Sequence, residues 1–367
     1  MKRAGNKIIF FVGTVAETIK LAPVMSELSS GNVRYLVVAS GQNKIVGREL
    51  QHLIKHLKID YQLPYKSARS STLSFITWAS KAFLTGLFSY RKLWLKARAN
   101  NAMVVVHGDT VSSLIGAAIA KLFGLKVAHV ESGLRSSRFD EPFPEEICRV
   151  CVSVLSDIHF CPNSWSASNL GSRKSKINTE HNTGLDSLRL AQKASKSVKR
   201  ICSEKYFVVV MHRQEHMLYQ KDFTKWFIQK AISKANRDLK CVIVMHQLTR
   251  NFLVNNNMID LVEINPDVIQ VPRLRHMEFI SLIENSEFVA TDGGSNQEEL
   301  YYLGVPCLIL RKVTERIEGL GENALLSKCD KREINKFLHN YSNYKKRAIK
   351  PTVSPSKIIA NYLVQHA

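Results

Sequence analysis

Short apolar runs alternate with helical stretches along this chain, and this alternation constrains the fold more than any other feature. The runs include IIFFVG at Ile8–Gly13, MVVVHGD at Met103–Asp109 and YFVVVMH at Tyr206–His212. Because they are rich in Val and Ile and apolar throughout, they are typical of strands buried on both faces of a parallel sheet. Helical stretches such as Glu17–Leu28 and Thr110–Leu122 lie between them. The pattern predicts an α/β, doubly wound fold.

The series of strands starts again near residue 206, after a basic and polar stretch, Gln192–Lys205, that we interpret as a linker. A chain of 367 residues is long enough for two domains. We therefore predict an N-terminal Rossmann-like domain at 1–190 and a second, nucleotide-binding one at 206–345, facing a central cleft. A basic helical tail at 346–367 is expected to pack on the first domain. Polar chemistry should gather at the carboxyl ends of the strands.

The composition narrows the class of protein. Hydrophobic residues make up 45% of the chain, which excludes wholesale disorder. The 52 Lys and Arg exceed the 31 Asp and Glu, so the net charge is +21. Such a charge attracts nucleic acid, anionic membranes or phosphorylated small molecules. The 7 cysteines form no regular framework, which is typical of reduced thiols in the cytoplasm.

One segment stands apart from the alternating pattern. Leu73–Arg98 is rich in aromatic residues and ends in a basic cluster. One interpretation is a helix that lies on a membrane surface; the other is an ordinary amphipathic helix that covers a sheet. No stretch is apolar enough for a membrane span, and the apolar start is too short for a signal peptide. We see no nucleic-acid-binding module and no residue spacing typical of a metal site.

Several candidate functional residues follow predicted strands in the first half. The turn at Gly13 presents backbone N–H groups to an anion, and Lys20 adds a positive charge. Asp109, Glu131 and Glu145 fall near strand ends or helix starts. They are candidates for acid/base chemistry if they converge, although helix capping also explains Asp109 and Glu145.

In the second half, His212 ends the first strand and is suited to binding a phosphate or moving a proton. The most specific segment is VATDGGSNQEELYYLGVPCLIL, Val289–Leu310. Its small residues, Gly294 and Ser295, place a helix N-terminus where a diphosphate can bind. Glu298 and Glu299 are positioned to accept hydrogen bonds from sugar hydroxyls, although acidic residues are also common at helix starts.

The motifs resemble those of the non-hydrolysing UDP-N-acetylglucosamine 2-epimerase family. In chain order they are GTVAETIKLAPV, VHGDT (Val106–Thr110), HVESGLRS (His129–Ser136), PFPEEICR (Pro142–Arg149), HNTGLDSL (His181–Leu188), MHRQE (Met211–Glu215), TDGGSNQEE (Thr291–Glu299) and TERIEG (Thr314–Gly319). The resemblance implies a GT-B fold, a UDP-sugar substrate, no cofactor, a homodimer and a cytoplasmic location.

The resemblance also implies residue roles and a reaction. UDP would leave C1 of UDP-GlcNAc as the C2 proton is removed, and UDP would re-add to the 2-acetamidoglucal to give UDP-ManNAc. The family's acid/base groups fall on four positions here: Asp109, Glu131, Glu145 and His212. The substrate-binding positions are Lys20, Arg149, Phe279, Gly294, Ser295 and Glu299, with Glu299 at the ribose and Phe279 beside the uracil.

The chain departs from the family pattern at several positions. Val15 and Ala16 stand where the family has Arg-Pro, which removes a cation expected at the diphosphate. The segment that is tied in some bacterial members to activation by a second UDP-GlcNAc reads GQNK at 41–44, which weakens the expectation of such activation. The lost arginine keeps an alternative open, a GT-B glycosyltransferase that uses a UDP-sugar donor for surface polysaccharide synthesis.

Overall fold

The computed structural model describes residues 7–66, 72–138, 143–173 and 175–367. Pro142, which opens one of the motifs above, lies outside these ranges. The chain forms two compact units. The first runs to Leu190 and includes Thr352–Ala367, and the second is Ala191–Pro351.

The first unit is built on a seven-stranded parallel sheet in the order β3-β2-β1-β4-β5-β6-β7. Its strands are β1 (Ile8–Val12), β2 (Tyr35–Ala39), β3 (Tyr61–Gln62), β4 (Met103–His107), β5 (Lys126–Val130), β6 (Ile158–Cys161) and β7 (Lys176–Asn178). The helices are α1 (Val15–Ser30), α2 (Thr72–Leu84), α3 (Arg91–Ala99), α4 (Val111–Leu122), α5 (Glu145–Leu155), α6 (Ser164–Ser168) and α7 (Gly184–Ser195), within which the boundary between the units falls.

Both faces of the first sheet are buried, as the apolar runs predict. In β1, Ile8, Phe10 and Val12 join one core, whereas Ile9 and Phe11 join another on the opposite face. This division follows from the two-residue period of a strand.

The second unit contains a six-stranded parallel sheet in the order β10-β9-β8-β11-β12-β13. Its strands are β8 (Tyr206–Val210), β9 (Lys240–Met245), β10 (Val268–Pro272), β11 (Val289–Thr291), β12 (Cys307–Ile309) and β13 (Ala324–Leu326). The helices are α8 (Lys221–Lys234), α9 (Gln247–Asn255), α10 (Ile259–Glu263), α11 (His276–Glu284), α12 (Gly294–Leu303) and α13 (Lys331–Asn340). This strand order is that of a Rossmann sheet, so the predicted fold class, two Rossmann-like α/β domains, is confirmed.

The C-terminal helix α14 (Pro355–His366) belongs to the first unit, where Ile359 and Leu363 enter the core beside α1. Asp186 fixes its start, because its carboxylate accepts hydrogen bonds from Ser354 Oγ and Ser356 N, both at 2.9 Å. The tail is thus a structural part of the first unit.

The segment Leu73–Arg98 forms two helices rather than one. A π-helical turn, Thr85–Ser89, separates α2 from α3. Trp78 and Trp94 anchor the inner side: Trp78 Nε1 donates to Pro64 O at 3.0 Å and Trp94 Nε1 to Gly86 O at 2.8 Å. Among the described residues, no helix combines the length and apolar character needed to cross a membrane.

Candidate active site

Three residues singled out in the sequence follow neighbouring strands of the first sheet. Gly13 follows β1, Asp109 lies just beyond β4, and Glu131 follows β5. The carboxyl ends of parallel strands meet along one edge, where α/β proteins bind their ligands. A Cβ on Gly13 would collide with the Ser112 side chain, so the turn after β1 requires glycine.

Glu131 is held in a single orientation. Its φ of 64° is left-handed, a backbone conformation that costs a non-glycine residue about 1–3 kcal/mol. The buried carboxylate contacts Lys20 Nζ and Asn182 Nδ2 through Oε2. His107 Nε2 lies 3.8 Å from the same oxygen. Lys20 offsets the charge of the carboxylate. The fixed geometry suits a group that must accept or donate a proton at a defined position.

Asp109 forms the outer part of a chain of charged groups. Arg149, in α5, contacts Asp109 Oδ2 through one terminal nitrogen and Glu146 Oε2 through the other. The Arg149 side chain is only 2% exposed. The structure therefore places this arginine, which the resemblance puts near the diphosphate, where it orients Asp109.

Glu145 is the first residue of α5, one turn before Arg149, and its side chain is partly exposed. Pro144 precedes it and provides no side-chain cap. Glu145 thus lies on the same helix as the arginine that holds Asp109.

Glu17 joins two of these loops and was not among the predicted site residues. Its carboxylate accepts hydrogen bonds from Gly13 N at 2.6 Å and Thr14 N at 2.9 Å. The other carboxylate oxygen contacts the Thr110 hydroxyl, beside Asp109. Burial raises the pKa of Glu17 from 4.5 to about 7, although the hydrogen bonds that it accepts act in the opposite direction.

Buried histidines lie beneath the same edge of the sheet. His129 Nε2 is 2.7 Å from Gly108 O, next to Asp109. Burial lowers the pKa of His129 to about 3 and that of His159 to about 4. These neutral rings fit a structural role beneath the loops.

Val15 leaves the first turn of α1 without the cation of the family pattern. The side chain is partly buried and packs against the core, and Ala16 beside it is exposed. The positive charge in this helix comes instead from Lys20, which contacts Glu131.

In the second unit, Asp292 organises the loop after β8. It is fully buried and accepts hydrogen bonds from His212 N at 2.8 Å and Arg213 N at 2.9 Å. His212 Nδ1 lies 3.1 Å from its other oxygen. Burial alone would raise the pKa of Asp292, but the His212 charge and these hydrogen bonds outweigh burial and hold it well below its usual range. The carboxylate therefore orients the His212 ring.

His246, at the end of β9, stacks on His212 with ring centroids 4.7 Å apart. Burial, together with the charge of His212, lowers the pKa of His246 to about 4. A neutral His246 ring thus stacks against the face of His212.

The N-terminus of α12 carries Gly294 and Ser295, as the sequence predicts. A Cβ at Gly294 would lie 2.6 Å from Glu315 Oε1 and 3.3 Å from Arg316 Nε. Only glycine allows the helix start to approach these side chains so closely, while the free N–H groups of the first turn remain suited to an anion.

Two buried ion pairs surround this helix start. Arg316 Nη1 lies 2.6 Å from Glu298 Oε2, and Arg311 Nη1 lies 2.9 Å from Glu315 Oε2. All four side chains are at most 6% exposed. Glu298 is thus engaged by Arg316 rather than open to a sugar hydroxyl.

Glu299 and Phe279 lie on the adjacent helices α12 and α11. His276 Nε2 lies 3.2 Å from Glu299 Oε1, so this carboxylate is oriented by a histidine that sequence reasoning missed. Phe279 is partly buried on the same helix as His276. The second unit therefore brings together Gly294, Ser295 and Glu299.

Sequence reasoning missed the buried Glu17, Arg311 and Arg316 and the partly buried His246 and His276. Two of these residues lie in motifs quoted above, Glu17 in GTVAETIKLAPV and Arg316 in TERIEG. A charged residue that ends a fully apolar strand was the available signal for Arg311. The described residues contain no group of three or more His, Cys, Asp or Glu arranged to hold a metal ion.

Residues 27–356 match the family model described as UDP-N-acetylglucosamine 2-epimerase. A Methanococcus maripaludis protein named UDP-N-acetylglucosamine 2-epimerase is 32% identical over 87% of this chain and 86% of its own length. A Campylobacter jejuni protein of the same name is 31% identical, over 93% and 92%.

A crystal structure agrees with these sequence matches. The Methanocaldococcus jannaschii UDP-GlcNAc 2-epimerase in complex with UDP-GlcNAc and UDP superposes with a TM-score of 0.83. It is 26% identical, and the match covers 98% of this chain and 99% of that one. This chain belongs to the UDP-N-acetylglucosamine 2-epimerase family.

Proposed function

We propose that this chain interconverts UDP-GlcNAc and UDP-ManNAc by eliminating and re-adding UDP. The observation that carries the proposal is the fixed Glu131 carboxylate with Lys20 and Asn182 on one oxygen, in a chain of this family. The choice of UDP-GlcNAc as substrate follows from the names of the relatives given above.

The proposed reaction has two steps, the elimination of UDP and its re-addition. Removal of the C2 proton leaves an electron pair that forms the C1–C2 double bond, while the C1–O bond breaks and its electrons depart with UDP. The bound products are 2-acetamidoglucal and UDP. The β-phosphate oxygen then attacks C1, and a proton is delivered to the opposite face of C2. The reaction needs acid/base groups on both faces of the sugar but no external oxidant.

We assign the acid/base work to Asp109, Glu131, Glu145 and His212. The support for Glu131 is its left-handed backbone and its buried carboxylate, which pairs with Lys20. The support for Asp109 is its contact with Arg149, and for His212 the Asp292 and His246 groups that orient its ring.

The UDP moiety is assigned to the second unit. The N–H groups at Gly294 and Ser295 suit the diphosphate, since a helix N-terminus favours negative charge. Glu299, oriented by His276, is assigned to the ribose hydroxyls, and Phe279 to the uracil face. In this proposal Lys20 and Arg149 act mainly through Glu131 and Asp109, which they contact.

The experiment is a product assay on purified protein with a small panel of UDP-sugars, followed by proton NMR. We expect UDP-GlcNAc to give a mixture with UDP-ManNAc, and Glu131→Gln to slow this conversion by about a thousandfold while the protein still binds UDP. Transfer of sugar to an added acceptor without any C2 epimer would favour the glycosyltransferase alternative, which Val15 motivates. No conversion of any UDP-2-acetamido sugar would overturn the proposal.

A homodimer and a cytoplasmic location, both implied by the family resemblance, remain predictions. Sedimentation equilibrium of the full chain tests the first. A single species of twice the 41.6 kDa chain mass is expected, and a monomer at assay concentrations would contradict it.

A further inference from the structure

Asn182 lies shortly before α7, and its side chain is buried, with only 2% of the residue exposed. Its Nδ2 group donates to Glu131 Oε2, the same carboxylate oxygen that Lys20 Nζ contacts. Because an ionised carboxylate only accepts hydrogen bonds, the amide must present its NH₂ group to Glu131. The amide oxygen accepts from the Thr183 hydroxyl at 3.4 Å. The two ends of the amide therefore have different partners, which fixes its orientation.

The two donors to Glu131 come from different parts of the first unit. Lys20 belongs to α1 and Asn182 precedes α7, whereas Glu131 follows β5. A hydrogen bond from Ser187 Oγ to Ile19 O, 2.7 Å long, joins α7 to α1 beside Lys20. Both donors are thus held relative to each other, and both converge on one carboxylate oxygen.

The start of α7 is anchored at a second place, through Asp186. One oxygen of its carboxylate accepts from Ser354 Oγ and Ser356 N, at the beginning of α14. The other oxygen lies 2.9 Å from Arg189 Nη1. Because α1 and α14 both hold α7, the Asn182 amide is positioned by the packing of the first unit.

The second oxygen of the Glu131 carboxylate faces the loop after β4. A Cβ at Gly108, the residue before Asp109, would lie 3.6 Å from Glu131 Oε1. Lys20 and Asn182 contact Oε2 instead. Because the amide is uncharged, it orients the carboxylate without adding to the positive charge that Lys20 supplies.

We propose that Asn182 is a positioning residue for Glu131, whose amide holds Oε2 so that Oε1 faces the loop of Asp109. This role rests on the proposed function, in which Glu131 transfers a proton. Orientation matters there because a displacement of about 1 Å can lower a rate about a hundredfold. The amide acts through Glu131, so its loss should change the rate of the reaction more than the binding of UDP.

Turnover of UDP-GlcNAc by Asn182 variants of the full chain tests the proposal. Asn182→Ala should lower kcat by about a hundredfold and leave KM and UDP affinity within about twofold of the parent values. Asn182→Asp should lose at least as much, because a second carboxylate would then face Glu131. Asn182→Ser keeps a shorter donor and should retain more activity than Asn182→Ala.

The matched control is Asn323→Ala in the second unit. Asn323 is 1% exposed, and its Nδ2 donates to Leu300 O at 3.0 Å and Val305 O at 2.8 Å. This variant also removes a buried amide donor, so it should lose stability as Asn182→Ala does. Its kcat should nevertheless stay within about twofold of the parent value.

Combination with Glu131→Gln separates positioning from general damage. If Asn182 acts through Glu131, adding Asn182→Ala to Glu131→Gln should lower the remaining activity by less than about twofold. A further hundredfold loss in that background would assign Asn182 a role of its own and overturn the proposal. NMR of labelled asparagine side chains reads the contact in folded protein without substrate: the Asn182 amide resonance should move in Glu131→Gln, and that of Asn323 should not.

Failure of this role and failure of the proposed function give different results. A parent protein that converts no UDP-2-acetamido sugar would overturn the proposed function, and this role with it. An active parent protein would overturn the positioning role alone if Asn182→Ala keeps its kcat or loses no more than Asn323→Ala. An Asn182 amide resonance that does not respond to Glu131→Gln would also overturn it, whatever the stability of the Asn182 variants.

Discussion

Substitution of Glu17 by Gln should reduce the loss of folding stability that accompanies rising pH. The Glu17 side chain is 3% exposed and lies between the loops after β1 and β4. Burial raises the pKa of its carboxyl from 4.5 to about 7. An amide at this position would still accept from Gly13 N and Thr14 N, and its NH₂ group would face the Thr110 and Ser113 hydroxyls. The substitution therefore removes the ionisation with little change in shape.

The size and sign of the effect follow from linkage. Between the unfolded and folded pKa values the folded state holds more protons, so stability falls as pH rises through this window. Below pH 4.5 the carboxyl is neutral in both states, and above about pH 7 the full cost of burying its charge is present. A pKa unit corresponds to about 1.4 kcal/mol, so the cost reaches about 3 kcal/mol. As pH rises through this window, the free energy of unfolding of Glu17→Gln should therefore increase by this amount relative to that of the parent protein.

Urea unfolding of both proteins from about pH 5 to about pH 9 measures this difference, since all other titrating groups are shared. Amide hydrogen exchange in β1 and β4 reports the first unit separately. Thr110→Val, which removes a hydrogen bond that lowers the Glu17 pKa, should move the window to higher pH. A difference that does not vary with pH, or that favours the parent protein at high pH, would refute the reasoning.

Three further predictions concern the proposed reaction. Glu131→Gln should lower kcat by about a thousandfold with little change in UDP affinity by calorimetry; an active variant would exclude Glu131 as a proton-transfer group. Gly294→Ala should weaken UDP binding by about tenfold or more, because its Cβ would lie 2.6 Å from Glu315 Oε1; unchanged affinity would place the diphosphate elsewhere. Val15→Arg should lower KM by about tenfold by restoring a cation, whereas Ala16→Arg should change it less; equal effects would indicate long-range attraction only.

The fold was predictable because its main determinants are local. Strands such as Ile8–Val12 are apolar throughout and are buried on both faces, and the helices between them show their own periodicity. The strands that the sequence did not reveal are β3, β7 and β13, which have two or three residues each. So few residues carry no detectable period, and these strands are defined by their pairing with a neighbouring strand.

The candidate site was predictable only in part. Residues at strand ends, such as Glu131 and His212, could be found because topology brings strand ends to one edge. The buried arginines of the second unit could not be found in this way, because their burial depends on tertiary packing: Arg311 and Arg316 look like ordinary solvated charges in the sequence, yet both are buried against carboxylates. Arg149 shows the same limit, since its contact with Asp109 depends on tertiary packing.

Exchange of the C2 hydrogen in heavy water tests the central claim most directly. When UDP-GlcNAc is incubated with the protein in D₂O, the proposed elimination and re-addition places deuterium from the solvent at C2. We predict that both recovered UDP-GlcNAc and newly formed UDP-ManNAc carry deuterium at C2, and that Glu131→Gln shows neither. A folded, UDP-binding protein that leaves C2 fully protonated in every UDP-2-acetamido sugar would contradict the account.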